Sequence, residues 1–358
     1  MLYRIEKRSD ISKEKSIGIR ALAILLALIT SGAFIFLLKL NPIDVYLSML
    51  DGAFGSPYRI RETIITAIPL LITSLGLAIA FKMQFWNIGG EGQILMGAFF
   101  ASFIALNYPD IPKPILLTLM MIAGILGGGL WALIPAFFKA QWGTNETIVT
   151  LMLNYIALKW ITFLQYGPWR DPDALGFPKV PNFSSNAILP KVFGVHIGWI
   201  IALILVVLVY IFMKHSKKGY EIAVLGESEN TARYAGINIK KTILVSIFLS
   251  GSIAGLAGMI QASAVSKTLA VSVSGGMGFT AIITTWLAAL NPIFILVSSI
   301  LFAALIRSGS FIQTAFGIPS AAASIIQAMI LFFFLGSHFF IKYRITRKTS
   351  AKIAQGGE

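Results

Sequence analysis

The sequence predicts an all-α polytopic membrane protein of ten transmembrane helices. Three observations carry that expectation. Of 358 residues, 56% are apolar and only 12% charged, about half the charge of a soluble domain. The apolar residues fall in long blocks, and a helix needs about 20 of them to cross a bilayer. The net charge of +14 gathers between those blocks, where Lys and Arg mark cytoplasmic segments rather than a nucleic-acid surface.

Reading apolar runs between charges and turn residues gives spans near 19–38, 63–81, 93–106, 114–137, 147–165, 195–213, 242–262, 279–290, 292–307 and 319–340. The first follows Arg4, Lys7, Arg8, Lys13, Lys15 and Arg20, but no small-residue cleavage site succeeds it. It therefore reads as a retained helix and not a signal peptide. The third and eighth runs are short, at 14 and 12 residues. With the N-terminus inside, cytoplasmic segments carry 19 Lys and Arg and outer segments carry 9. That bias places both termini in the cytoplasm. The chain then divides into a basic tail 1–18, a transmembrane domain 19–340 and a basic tail 341–358. Loop 214–241 lies inside and loop 166–194 outside.

Several chemistries are excluded. No cysteine is present, which removes disulfides, thiolate metal sites and cysteine nucleophiles. His196, His215 and His338 are too scattered in sequence to suggest a metal cluster. Neither a GxxxxGK[ST] loop nor an HExxH string occurs, so no nucleotide or catalytic metal site of the chain's own is expected. Ion-coupled transporters carry acids inside their spans; here only Glu91 is a plausible embedded carboxylate. That argues against the more distant alternative, a secondary transporter.

An internal echo stands out. Gly89-Gly90-Glu91-Gly92 precedes the third span and Gly275-Gly276-Met277-Gly278 the eighth. By the charge count the first lies on the inner side and the second on the outer side. An inverted repeat, spans two to five matching seven to ten, produces this pattern. Gly-interrupted segments at corresponding places of two halves point to a transport pathway. Glycine permits positive φ and close backbone approach there; it is also common wherever membrane helices pack.

In the inner loop, Ser228 suits the cap of a short helix, Glu229 its positive first turn and Gly236 its left-handed stop. Bracketed by Gly226 and Gly236, residues 227–236 form a knob suited to a partner's groove, or a plain connector.

Here the residues resemble a known family. Gly219-Tyr220-Glu221 with Thr231-Ala232-Arg233-Tyr234-Ala235-Gly236-Ile237 is similar to the coupling-helix segment of permease subunits of ABC importers for simple sugars and nucleosides. Phe85-Trp86-Asn87-Ile88-Gly89-Gly90-Glu91-Gly92-Gln93, Thr144–Ile148 with Leu153–Ala157, and Ser250–Gly258 resemble further segments of that family over roughly 60–340. The NIGGEGQ and LNYIA strings look closer to the nucleoside branch than to the ribose-type branch. Ala223 and Glu229 depart from the usual basic residue and proline.

The resemblance implies an ATP-driven importer in which this chain forms the translocation pathway. It implies a heterodimer with a second related permease, an ATPase subunit with two fused nucleotide-binding modules that binds the ATP and Mg, and a substrate-binding lipoprotein. No cofactor is expected in this chain, and the membrane is the bacterial cytoplasmic one. A simple sugar such as ribose or galactose is the alternative cargo.

Glu227, Ser228, Glu229, Asn230, Thr231, Arg233, Tyr234 and Gly236 are the expected ATPase-coupling residues. Asn154, inside span five, either lines the pathway or joins two helices by a hydrogen bond. Gln93, Asn87 and Glu91 sit at the first glycine turn beside Phe85 and Trp86, whose faces can stack a base or anchor at the interface. Trp286 and Gln327 are further pathway candidates.

The absence of native cysteine makes the topology directly testable. A cysteine at Ser184 is expected to react with an impermeant thiol reagent from outside, and one at Ser228 only after permeabilisation. The reverse pattern contradicts the orientation.

Overall fold

A computed structural model describes residues 3–7, 12–174 and 176–347. Among these residues it contains thirteen α-helices. They are α1 (Lys13–Leu37), α2 (Pro42–Phe54), α3 (Pro57–Lys82), α4 (Gly90–Asn107), α5 (Lys113–Trp142), α6 (Glu146–Tyr166), α7 (Gly198–His215), α8 (Lys217–Glu227), α9 (Glu229–Tyr234), α10 (Ile239–Ile260), α11 (Met277–Leu287), α12 (Pro292–Phe316) and α13 (Ser320–Lys342).

Eight of these are long and apolar enough to cross a membrane: α1, α3, α5, α6, α7, α10 with the π-helical turn Gln261–Ser266 that extends it, α12 and α13. The two short apolar runs appear as α4 and α11. The first opens on Gly-Glu-Gly-Gln, which dilutes its apolar character, and the second has only 11 residues.

Three helices occupy segments read from hydropathy as connections. α2 is capped by Asn41, whose Oδ1 accepts the Ile43 N–H at 3.0 Å, and Pro42 occupies its first turn. Its buried residues Val45, Met49, Gly52 and Ala53 keep helical spacing, while Asp44 and Asp51 interrupt the apolar run. α8 is capped by Ser216, whose Oγ accepts the Gly219 N–H at 2.9 Å. Gly226 therefore lies within α8 and does not bracket a loop. The third is α9.

The described chain forms two compact units. One comprises Pro57–Ala304. In it, α10 packs against α3, α4 and α5. Contact is backbone to backbone: a methyl on Gly97 would lie 2.2 Å from the Gly255 carbonyl oxygen, and one on Gly128 2.3 Å from that of Gly251. Without an aqueous hydrophobic drive between helices, such close approach supplies the packing. Within the apolar stretch of α3, 89% is buried against 22% for α7. α3 is thus the central helix, and most of α7 is unburied within the chain. Loop 166–194 carries a 3-10 turn (Ser185–Ala187) and the strand β2 (Lys191–Val192), which forms a hairpin with β3 (Val195–His196) at the head of the run read as 195–213, so that α7 begins only at Gly198. The loop is tied to the end of α10, because Thr268 Oγ1 donates to the Val180 carbonyl at 2.9 Å and Leu189 N–H donates to Ser263 Oγ at 3.1 Å.

The other unit holds α1, α2, α13 and the chain from Leu305 on. Ile35, Val45, Met49, Ile312, Ile318 and Ile326 form its core. β1 (Tyr3–Lys7) pairs antiparallel with β4 (Tyr343–Arg347), with Ile5 opposite Ile345. Gln327 Nε2 donates to the Leu305 carbonyl at 2.9 Å, in the space left beside Gly309. Gln327 is therefore a staple between α12 and α13. The His338 side chain lies outside those described.

Candidate functional site

The site is built where α4 and α11 begin. Each starts within the fold and not at its surface: Gly90 and Gly278 are both buried, and Gly278 sits directly against the backbone of Gly90 and Glu91. The Glu91 carboxylate joins the two ends. Its Oε1 accepts the Gly276 N–H at 2.9 Å and its Oε2 accepts the Gly278 N–H at 2.7 Å. A helix N-terminus leaves its first N–H groups unpaired and carries partial positive charge. Glu91 occupies the first turn of α4 and caps the first turn of α11. A carboxylate 9% exposed requires such partners, because an isolated buried charge is prohibitively costly.

This corrects the placement of the two glycine turns on opposite faces. Groups within hydrogen-bond distance cannot be separated by a hydrocarbon core of about 30 Å. The charge count follows loops that reach a face, whereas both turns reach inward. The glycines also differ in their use. Gly275 and Gly276 have φ of +55° and +75°, the left-handed backbone that disfavours other residues. Gly89, Gly90 and Gly92 are absent from that region; close approach is required instead at Gly92, where a methyl would lie 2.9 Å from Asn154 Oδ1, and at Gly278, where one would lie 2.2 Å from the Glu91 nitrogen.

Of the amides named from the sequence, Asn154, Asn87 and Gln93 converge on the same place and are paired within it. Asn154, 4% exposed on α6, accepts the Gly92 N–H at 2.8 Å and donates to the Ile88 carbonyl at 2.9 Å. Its side chain is thus an interhelical pin for the turn before α4. Asn87 Nδ2 donates to Gln93 Oε1 at 3.2 Å and to Ser250 Oγ at 3.3 Å, and Gln93 Nε2 donates back to Asn87 Oδ1 at 3.0 Å. Phe85 is buried in the core.

α11 is further bound to α3 by hydroxyls that the sequence reading missed. Ser74 Oγ shares a short hydrogen bond with Thr284 Oγ1, and Thr285 Oγ1 donates to the Ser74 carbonyl at 3.1 Å. The signal was a pair of buried hydroxyls in an apolar helix, where polar groups seek a neighbouring helix. Beyond them Trp86 and Trp286 stack, with centroids 5.3 Å apart and planes inclined by 20°; Phe81 lies 5.4 Å from Trp286.

The coupling loop folds as two helices. Ser228 ends α8 and caps α9, its Oγ accepting the Thr231 N–H at 3.2 Å. Arg233 pairs with Glu229 at 3.1 Å across one turn. Of α9, only Ala232 is buried; Glu229, Asn230, Thr231, Arg233 and Tyr234 are exposed, Tyr234 to 93%, as is Glu227 at the end of α8. Gly236 ends the segment with φ +71°. α8 is seated on α10 through Glu221, which accepts from Thr242 Oγ1 at 3.2 Å and pairs with Lys218. The Lys218 hydrogen bond, ahead of the Thr242 one, holds the Glu221 carboxyl below its ordinary range despite burial.

Residues 59–335 match the family described as the permease component of the branched-chain amino acid transport system. The chain belongs to that family. It is 31% identical to the glucose ABC transporter permease of Haloferax volcanii over 96% of this chain and 93% of that one. It is 30% identical to a nucleoside ABC transporter permease of Lactococcus lactis, covering 96% and 97%, and 31% identical to a guanosine ABC transporter permease of Bacillus subtilis, covering 88% and 92%. The protein is a multi-pass membrane permease subunit of an ABC importer. Such a subunit works with an ATPase and a substrate-binding protein.

If Asn154 is the pin, its loss strands the Gly92 N–H and the Ile88 carbonyl. Asn154→Leu is expected to lower stability by about 1–3 kcal/mol, read as a drop in Tm of the purified protein. An unchanged Tm with lost uptake restores the pathway reading.

Proposed function

We propose that the chain imports nucleosides. It forms one half of the pathway, as a heterodimer with a second related permease, while a partner with two fused nucleotide-binding modules binds ATP and Mg and hydrolyses it. A lipoprotein delivers cargo from outside. Hydrolysis is thus not this chain's chemistry. α4 and α11 complete ten spans in the cytoplasmic membrane, with both termini and loop 214–241 inside. The two halves are inverted repeats meeting at the glycine turns.

The observation that carries the reading is the NIGGEGQ turn, in which Glu91 joins α4 to α11 while Asn87, Gln93 and the Gly92 N–H are paired within the fold. The nucleoside and guanosine permeases among its relatives support the cargo. A simple sugar is the second reading, favoured by the glucose permease at equal identity. Uptake of labelled guanosine, uridine and glucose by the reconstituted importer decides between them.

The exposed knob of α9 is the ATPase contact. A small helix with one buried residue and a fully exposed tyrosine is a rigid projection, and its movement is passed to α7 and α10 on either side. A β-branched residue at Gly236 opposes its left-handed backbone by about 1–2 kcal/mol, enough to misplace the knob without unfolding the spans. Gly236→Val and Arg233→Glu are expected to remain in the membrane and to abolish ATP-driven uptake together with substrate-stimulated ATP hydrolysis. Normal uptake in both variants makes the loop a connector.

A further inference from the structure

Trp86 and Trp286 belong to different halves of the sequence and meet ring on ring. Trp86 stands in the loop that leads into α4. Trp286 sits at the far end of α11, whose first turn is held by Glu91. With Phe81, Leu77 and Ala281 they form a small apolar cluster separate from the main core of their unit. Trp86 is 45% exposed, so the stack is covered by a ring that itself lies at the surface. Beneath it the Trp286 Nε1–H is buried with no acceptor. Packing alone does not explain this, since a leucine fills space without stranding a donor. A planar ligand with an acceptor on its edge would satisfy both the exposed indole face and that N–H.

Trp86 is held from α6: its backbone N–H donates to Glu146 Oε1 at 3.4 Å, and Glu146 pairs with Lys139 of α5 at 2.8 Å. Just before Trp86, Lys82 and Met83 touch Gly226 of α8: a methyl there would lie 2.1 Å from the Lys82 carbonyl oxygen and 3.3 Å from the Met83 Cα. Backbone meets backbone, so a shift of α8 displaces residue 82 with no side chain to absorb it. Gly226 lies two residues before Ser228, the cap of α9.

We propose that Trp86 and Trp286 form a stacking gate for a planar heteroaromatic cargo, parted through the Gly226–Lys82 contact when the ATPase moves α8 and α9. The proposal deepens the nucleoside reading and rests on it. Closed, each indole covers the other. Open, a base replaces indole-on-indole contact with indole-on-base contact and offers an acceptor to Trp286 Nε1. Every base has a π-face, so the gate distinguishes bases poorly from one another but well from a saturated ring.

The test uses the complete importer in proteoliposomes. Wild-type uptake of guanosine, uridine and glucose comes first; transport of glucose alone overturns the nucleoside reading, and the base-selective part of the gate with it. Given nucleoside uptake, Trp86→Leu and Trp286→Leu are expected to reduce its rate by up to about tenfold, the loss of an aromatic pair, whereas Trp→Phe at either position restores it. Unchanged rates in both leucine variants overturn the gate and leave the nucleoside reading standing. A second readout is independent of cargo and of the ring chemistry. In this cysteine-free chain, Trp86→Cys with Trp286→Cys is bridged by a short reducible bis-thiol reagent. Bridging should stop uptake and reduction should restore it. Full uptake by the bridged protein, or failure of the pair to bridge in either the nucleotide-free or the ATP-bound state, overturns the gate.

Discussion

The arrangement depends on one buried carboxylate placed between two helix N-termini. Glu91 accepts from two backbone N–H groups of α11 while sitting in the first turn of α4. Two helix ends that face one another repel through their dipoles and leave N–H groups unpaired, and the Glu91 carboxyl between them supplies acceptors for those N–H groups. The remaining geometry follows. α4 and α11 begin inside the fold, the turns before them must be narrow, and glycine is required where their backbones meet. Asn154, Asn87 and Gln93 then hold the first turn from the side, because each unpaired group there would be buried.

From this junction two mechanical routes lead outward. α11 is bolted along its length to α3 by Ser74, Thr284 and Thr285, and ends at the tryptophan stack. α3 ends against Gly226, next to the exposed knob of α9. The exposed knob of α9 and the elements that hold the centre of the unit are therefore separated by rigid helices and not by flexible chain.

Much of this was legible in the sequence, because a membrane makes hydropathy decisive. All ten apolar runs appear as helices, and Ser228 and Gly236 mark the ends of the α9 segment. Hydropathy did not reveal α2, whose Asp44 and Asp51 break an apolar run that is nonetheless periodic, nor α8, whose capping Ser216 lies amid lysines. The glycine turns were recognised, but their meeting was not. Charge counting assigns each loop to a face and carries no information on how far it folds inward. Asn154 and Gln327 were visible as amides within apolar runs; whether an amide faces cargo or a neighbouring backbone depends on contacts far apart in sequence.

Backbone hydrogen exchange over residues 275–280 tests the junction most directly. The account predicts that the Gly276 and Gly278 amides of the native subunit are protected, and that Glu91→Ala removes that protection while the amides of α5 and α10 keep theirs. Equal exchange at the two glycines with and without the carboxylate would contradict the claim that Glu91 joins the two helix ends.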